Sequence, residues 1–278
     1  MDIYQSPVFS NTGNLFKFNR DGYVVVPSFL NPEQIQYLQN LFDTTRDKAA
    51  VSEQFYTSHW SSNREYRAEV KEKIVALLYP LAQKVLTDYR SIYGHLMIKN
   101  PGSNSQYALH QDWSLVDEST HTGITVWIPL VDVTKANGCL GMLRGSHRLC
   151  NNVRGSNIGT NLDINSFPET AYTFLEMKAG DAVFFHQRIF HLSPPNNSNQ
   201  TRVAAGLVLI PNEAKVIHYY KEHDDKTVTV FEADDNFLSD FYLGETDIKQ
   251  YKKTGDVPLS ATVINKDEFV SAVMSYKD

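Results

Sequence analysis

The 278 residues are 42% hydrophobic and 21% charged, an ordinary globular composition with enough length to bury a substantial core. Residues 221–278 hold 7 Lys against 13 Asp and Glu, which equals the −6 of the whole chain, so residues 1–220 are balanced. A neutral body with an acidic tail offers no track for a phosphate backbone, which argues against nucleic acid as the main partner, and no run approaches the roughly 18 apolar residues of a membrane span.

In chain order, Met1 to Asn11 lacks the basic and apolar regions of a secretory signal. Together with only two cysteines, Cys139 and Cys150, this points to the reducing cytoplasm. Gly22 to Val26 reads as a short strand ending at Pro27. Asn31-Pro32 then supplies a cap and first-turn pair for a helix whose apolar face carries Ile35, Leu38 and Leu41. A second helix is expected over 66–86, with Val70, Ile74, Leu77, Leu78 and Leu81 as its buried stripe and Pro80 as a kink.

From about Ile92 the pattern changes to short strands between Gly, Pro, Asn and Asp clusters. Strands are expected at 92–99, 107–113, 122–131, 139–143, 172–177, 181–192, 202–210 and 215–220. Helices followed by many short strands suggest a mainly β jelly-roll barrel with flanking helices. The simplest division is one domain: a strand and helices over 1–90, the jelly-roll core over 91–220 and an acidic extension over 221–278. In that extension, Phe237-Leu238 with Phe241-Tyr242-Leu243 reads as a docking helical turn.

His110-Gln111-Asp112 puts an imidazole and a carboxylate on one face of a strand, since residues i and i+2 project together. With nine His and 19 Asp in the chain a His-x-Asp is nearly a chance event, and a second occurs at His223-Asp224-Asp225. That copy lies outside any strand pattern and reads as solvated surface. The later segment strengthens the first. If 181–192 and 202–210 pair about Asn196-Asn197, His191 falls opposite Arg202, with Ser193 on the same face. A guanidinium and a hydroxyl beside a metal ligand suit a carboxylate. Two His and one carboxylate leave open positions of the kind non-haem Fe(II) oxygenases use. A zinc hydrolase would need the same ligands but no such cation.

These segments, taken with Val126 to Leu130, Asn137 to Leu140, Gly145-Ser146-His147 and Gly180-Asp181 through His186, resemble the phytanoyl-CoA dioxygenase-like branch of the 2-oxoglutarate oxygenases. The resemblance runs from about Phe18 to Pro211. It implies a double-stranded β-helix core, the jelly roll of cupin-like proteins. It also implies Fe(II) on His110, Asp112 and His191, 2-oxoglutarate against Arg202, Ser193 and Trp127, and O2 as oxidant. A further cosubstrate contact is usual on the strand before His-x-Asp, but the match around Leu96 to Lys99 is loose and leaves that residue open. The carboxylate of Asp112, where halogenating relatives carry a small residue, argues against halogenation, with hydroxylation the expected reaction. Desaturation, cyclisation, an acyl-CoA substrate and a non-catalytic sensor stay open, with a small free metabolite favoured as substrate.

Other polar residues receive plainer readings. His186 falls on the opposite strand face from His191, His147 orders a loop, and His121 and His218 are satisfied polar groups. Arg144 and Arg188 are read as ion-pair partners, Asp181 as a turn residue, and Asn151 to Thr170 with the tail from His223 onwards as a lid.

Overall fold

The computed structural model describes residues 8–51, 53–158, 167–222, 226–241, 247–259 and 266–276. It opens with a helix the sequence pattern does not announce. α1 (Thr12–Asp21) is capped by Asn11, whose side chain accepts from Asn14 N, and it ends at Gly22 with φ 85°, a left-handed turn that suits a residue without Cβ. β1 (Tyr23–Val26) follows. α2 (Pro32–Thr45) starts as expected, with Asn31 and Gln34 forming a reciprocal capping box. β2 (Phe55–Thr57) was not anticipated, whereas α3 (Arg64–Ala82) covers most of the expected second helix and buries Val70, Ile74 and Leu78. The helix stops two residues after Pro80.

The remaining strands of the body are β3 (Tyr89–Lys99), β4 (Tyr107–His110), β5 (Ile124–Pro129), β6 (Leu140–Met142), β7 (Thr173–Leu175), β8 (Ala182–His186), β9 (His191–Ser193), β10 (Arg202–Pro211) and β11 (Val216–Tyr220). They build a six-stranded antiparallel sheet in the order β1-β8-β5-β10-β3-β2 and a four-stranded one in the order β4-β9-β6-β7. The two make a jelly roll, the expected fold class, and neither sheet closes on itself.

Strand parity decides what faces where. On β10, Val203, Ala205, Leu207 and Leu209 join the main core with Ile74 and Leu78 of α3, while Arg202 and Val208 point into a cavity between the sheets. On β3, Leu96 and Ile98 join the same core and His95 and Met97 face the cavity; on β5, Val126 and Ile128 divide in the same way from Thr125 and Trp127. Each fully buried aliphatic side chain contributes about 1.5–3 kcal/mol, so α2 and α3 hold the outer face of the large sheet and leave its inner face for chemistry.

Three expectations are corrected. The continuous strand 181–192 is two strands, β8 in the large sheet and β9 in the small one, separated by a turn in which Ile189 N donates to His186 O (2.9 Å). The expected hairpin of His191 with Arg202 therefore does not exist. Arg202 pairs with Lys99 on β3, and His191 pairs with His110 on β4 and Met142 on β6. The strand expected over 107–113 ends at His110, so Asp112 lies beyond it.

The acidic extension adds β12 (Thr227–Ala233) and β13 (Lys252–Pro258), which extend β11 into a three-stranded sheet, with α4 (Phe237–Asp240) between them and α5 (Lys266–Ser275) at the end. The docking turn is present. Phe237 and Phe241 pack on His218, and Phe241 also meets Trp113, just after Asp112. Tyr242 and Leu243 lie outside the described residues, as do His223, Asp224 and Asp225 of the second His-x-Asp. No helix among the described residues is long and apolar enough to cross a membrane.

Candidate active site

The cavity between the sheets measures about 390 Å3. At its centre His110, Asp112 and His191 form the one cluster of metal-ligating groups among the described residues, with donor atoms all within 4.8 Å of one another. His110 and His191 are cross-strand partners, and their ring centroids lie 4.2 Å apart.

The imidazole tautomers follow from their neighbours. His110 Nδ1 is 2.8 Å from Ala108 O, and His191 Nδ1 is 3.1 Å from Ile189 O. A carbonyl only accepts, so each Nδ1 carries the proton and each Nε2 keeps a lone pair. Those Nε2 atoms lie 3.6 and 3.7 Å from Asp112 Oδ1. Asp112 Oδ2 is occupied by the Thr125 hydroxyl, which donates to it over 2.6 Å. Burial alone would raise the Asp112 carboxyl, but His110, His191 and Thr125 more than offset it and hold the group well below the usual carboxylate range. Burial, then the neighbouring His110, pushes His191 down to about 4. Near neutral pH the cluster therefore offers a neutral imidazole at His191 and a carboxylate at Asp112, the states in which these groups bind metal.

Because β4 stops at His110, tertiary contacts hold Asp112. Arg154 Nε donates to the Asp112 carbonyl (2.7 Å), and its other nitrogens grip Glu118 in a bidentate pair (2.7 Å each). Arg188 Nε reaches the same carboxylate at 3.1 Å, and the Gln111 side chain donates to the Arg188 carbonyl (2.5 Å). Arg154, Glu118 and Arg188 are all buried. A buried ionic triad sits directly behind the ligand segment.

Arg202 lies on the cavity wall, only 2% exposed, with its guanidinium 5.4 Å from the Trp127 ring centroid. Its Nε and Nη1 have no hydrogen-bond partner, and burial lowers its pKa to about 10. Ser193 also lines the cavity, its hydroxyl donating to Gly138 O (3.2 Å) and accepting from Lys99 Nζ. Lys99, wholly buried, donates further to Ser193 O (3.0 Å) and Pro194 O (2.5 Å). Burial, then Arg202, brings its pKa down to about 6. A Cβ on Gly138, at φ 85°, would meet Lys99 Cδ at 2.7 Å, so this turn needs glycine for the lysine to reach Ser193.

All six residues singled out from the sequence thus line one cavity. The remaining histidines fall elsewhere. His186 faces away and stacks on Phe18, and His147 lies 3.2 Å from Asn19 O. His121 meets Glu213, and His218 meets Ser156. Arg144 pairs with Asp21, and Asp181 accepts from Ser28 N and Lys178 N. Of the expected lid segment, Ser156 lines the cavity, while residues 159–166 lie outside the described residues. Sequence reasoning missed Lys99, Glu118 and Arg154 as supports and His59 and His95 as wall residues. Strand parity on β3 could have flagged His95 and Lys99 together; nothing local marks Arg154, which is 42 residues from Asp112.

Over residues 18–204 the sequence matches the family model described as phytanoyl-CoA dioxygenase (PhyH). The chain belongs to this family. A phytanoyl-CoA dioxygenase of Arabidopsis thaliana is 32% identical over 122 residues, 42% of this chain and 43% of that protein. The chain thus matches less than half the length of this plant relative. A methylphosphonate hydroxylase of Gimesia maris is 26% identical over 208 residues, 68% of this chain and 76% of that protein. The crystal structure of HygX from Streptomyces hygroscopicus, with nickel and 2-oxoglutarate bound, shares the fold at TM-score 0.54 and 16% identity, covering 78% of this chain and 92% of that one.

Proposed function

We propose that this phytanoyl-CoA dioxygenase family member is an Fe(II)- and 2-oxoglutarate-dependent oxygenase that hydroxylates an unactivated C–H bond of a small metabolite. Arg202 carries this reading. A buried guanidinium with Nε and Nη1 unanswered is costly by itself, and a carboxylate supplies the two acceptors it lacks. Its position on the cavity that holds the His110, Asp112 and His191 cluster is where the far carboxylate of a metal-chelating 2-oxo acid would lie.

Two imidazoles and a carboxylate suit Fe(II) and leave positions for a bidentate cosubstrate and O2. When bound, Fe(II), 2-oxoglutarate and O2 together place one oxygen atom in the substrate C–H bond and the other in succinate, with release of CO2. The chain supplies orientation. Ala108 O and Ile189 O fix the ring tautomers, Thr125 leaves Asp112 Oδ1 as the ligand atom, and Trp127 backs the guanidinium. Lys99 fixes Ser193 at the cosubstrate end.

The cavity volume falls in the range of about 300–1,000 Å3 usual for small-molecule sites. The substrate is accordingly a compact metabolite, such as an amino-acid derivative or biosynthetic intermediate, and the Gimesia relative is likewise named for a small substrate. Two free, buried cysteines accord with work in the reducing cytoplasm. Purified protein given Fe(II), 2-oxoglutarate, O2 and a metabolite library should form succinate in response to a substrate. No succinate from protein that binds both iron and 2-oxoglutarate would turn the reading to a 2-oxo-acid sensor.

A further inference from the structure

Beyond the metal cluster and Arg202, the cavity has a second end walled by His59, Trp60, His95, Trp113 and Leu238. His59 and Trp60 also wall an adjoining smaller cavity of about 260 Å3, where α4 meets the segment before β2 and the exposed Glu53 contributes a carboxylate. Among the described residues lining the main cavity, Asp112 is the one carboxylate and Arg202 the one permanent cation. Each has a task at the other end.

Within the main cavity the second end is polar without fixed charge. His59 Nδ1 lies 2.9 Å from Thr57 Oγ1, and among the described residues that hydroxyl has no other partner. Its proton therefore goes to Nδ1, which makes Nε2–H the donor that His59 offers. His95 packs edge-on to His59, ring centroids 5.7 Å apart, and keeps a buried Nδ1 with no partner. Its ring lies over Gly206, where a Cβ would meet His95 Nε2 at 2.6 Å. Burial, joined at His59 by His95 and Arg67 and opposed at both rings by the Asp112 carboxylate, lowers His59 to about 3 and His95 to about 4 and keeps both imidazoles neutral.

These features select by charge. A cationic headgroup would be desolvated in the main cavity with Asp112, committed to the metal cluster, as the one lining carboxylate, since Glu53 lines only the smaller cavity and is exposed. An anionic one would meet neutral rings, because Arg67 lines neither cavity and donates to Ser61 O. Either would bear the several kcal/mol that an unpaired buried ion costs. A neutral hydroxyl or carbonyl oxygen needs only the N–H that His59 holds ready, and the two indoles flank an apolar body.

We propose that the His59–His95 end is the substrate subsite and that it takes an uncharged headgroup, a hydroxyl or carbonyl oxygen accepting from His59, on a compact ring or hydrocarbon body between Trp60 and Trp113. The inference rests on the oxygenase reading only in giving the Arg202 end to the cosubstrate.

The test uses three probes that share one body and differ in charge: 2-phenylethanol, phenylacetate and protonated 2-phenylethylamine. Each is titrated calorimetrically into the full chain, with and without 2-oxoglutarate and in the absence of O2. The neutral probe should bind roughly tenfold or more tighter than either ion. His59→Phe, which keeps the ring and removes the donor, should weaken it roughly tenfold, and His59→Gln, which keeps an N–H, should restore most of the binding. Thr57→Val provides a second variant of nearly unchanged volume and should also weaken it. Equal or tighter binding of phenylacetate or 2-phenylethylamine, no binding by any probe, or indifference to both His59→Phe and Thr57→Val would overturn the subsite. Because the titration needs no turnover, failure of the oxygenase reading would show separately, as absence of 2-oxoglutarate binding or of succinate.

Discussion

The two ends of the cavity are built on opposite principles. At the metal and Arg202 end the groups carry permanent charge or sharp donor preferences, and tight hydrogen bonds hold them: carbonyls behind both imidazoles, Thr125 on Asp112, Lys99 on Ser193. At the His59 end the groups are neutral, and one wall is Leu238 from the acidic extension. The first end is specified by strands of the two sheets, apart from Asp112, which Arg154 holds just beyond β4. The second borrows from the segment before α3 and from α4, which can vary without disturbing the sheets. A family sharing one reaction and many substrates can keep the first and rewrite the second.

The most severe way to break this contrast is Asp112→Ala, which should abolish Fe(II) binding at the cluster while leaving the far-ultraviolet circular dichroism unchanged. Retained stoichiometric iron would move the metal site elsewhere. Glu118→Gln comes next. It leaves Arg154 and Arg188 buried without their common carboxylate, at a cost of about 3–5 kcal/mol in stability. Metal affinity should fall about 10–100-fold as Asp112 loosens, measured by competitive chelator titration at a temperature where the variant is folded. A loss of stability with unchanged metal affinity would show that the triad does not position the ligand.

Arg202→Ala should raise the 2-oxoglutarate requirement at least about 30-fold, the effect of removing a buried charged partner worth about 2–5 kcal/mol, with iron binding intact. Unchanged cosubstrate dependence would remove the contrast between the ends. The smallest effect concerns pH. Burial lowers His95, His147 and His218 to about 4 from 6.5. Folded-state values below the unfolded ones mean that the unfolded chain takes up protons first. Stability from these groups is present above 6.5 and is lost as pH falls towards about 4. The melting temperature should therefore drop steadily below about pH 6.5, and a profile flat to pH 5 would contradict their burial as neutral rings.

Much of this was legible in the residues. Asn31-Pro32 declared α2, the turn clusters declared a strand-rich body, and the six site residues share one cavity. The route to that cavity was not legible. Between Asp181 and Leu192 no Gly or Pro marks the turn that carries the chain from one sheet to the other, and the apolar pattern runs straight through it. The expected pairing of His191 with Arg202 brought the correct residues together by an incorrect register: they face each other across the interior rather than along a hairpin. Asp112 was expected on a strand, yet a guanidinium 42 residues away holds its backbone. Contacts of that range follow from packing and leave no trace in local periodicity.

The two imidazoles differ from the carboxylate in portability. Each ring is oriented by a carbonyl only two residues back, Ala108 for His110 and Ile189 for His191, so its aim travels with a tripeptide. Transplanting 108–110 and 189–191 onto facing strands of another two-sheet scaffold would carry oriented imidazoles along. Asp112 would not travel in this way, because its aim is a property of Thr125, Arg154 and Glu118 together. An engineer borrowing this centre would have to move the arginine's whole neighbourhood with the carboxylate.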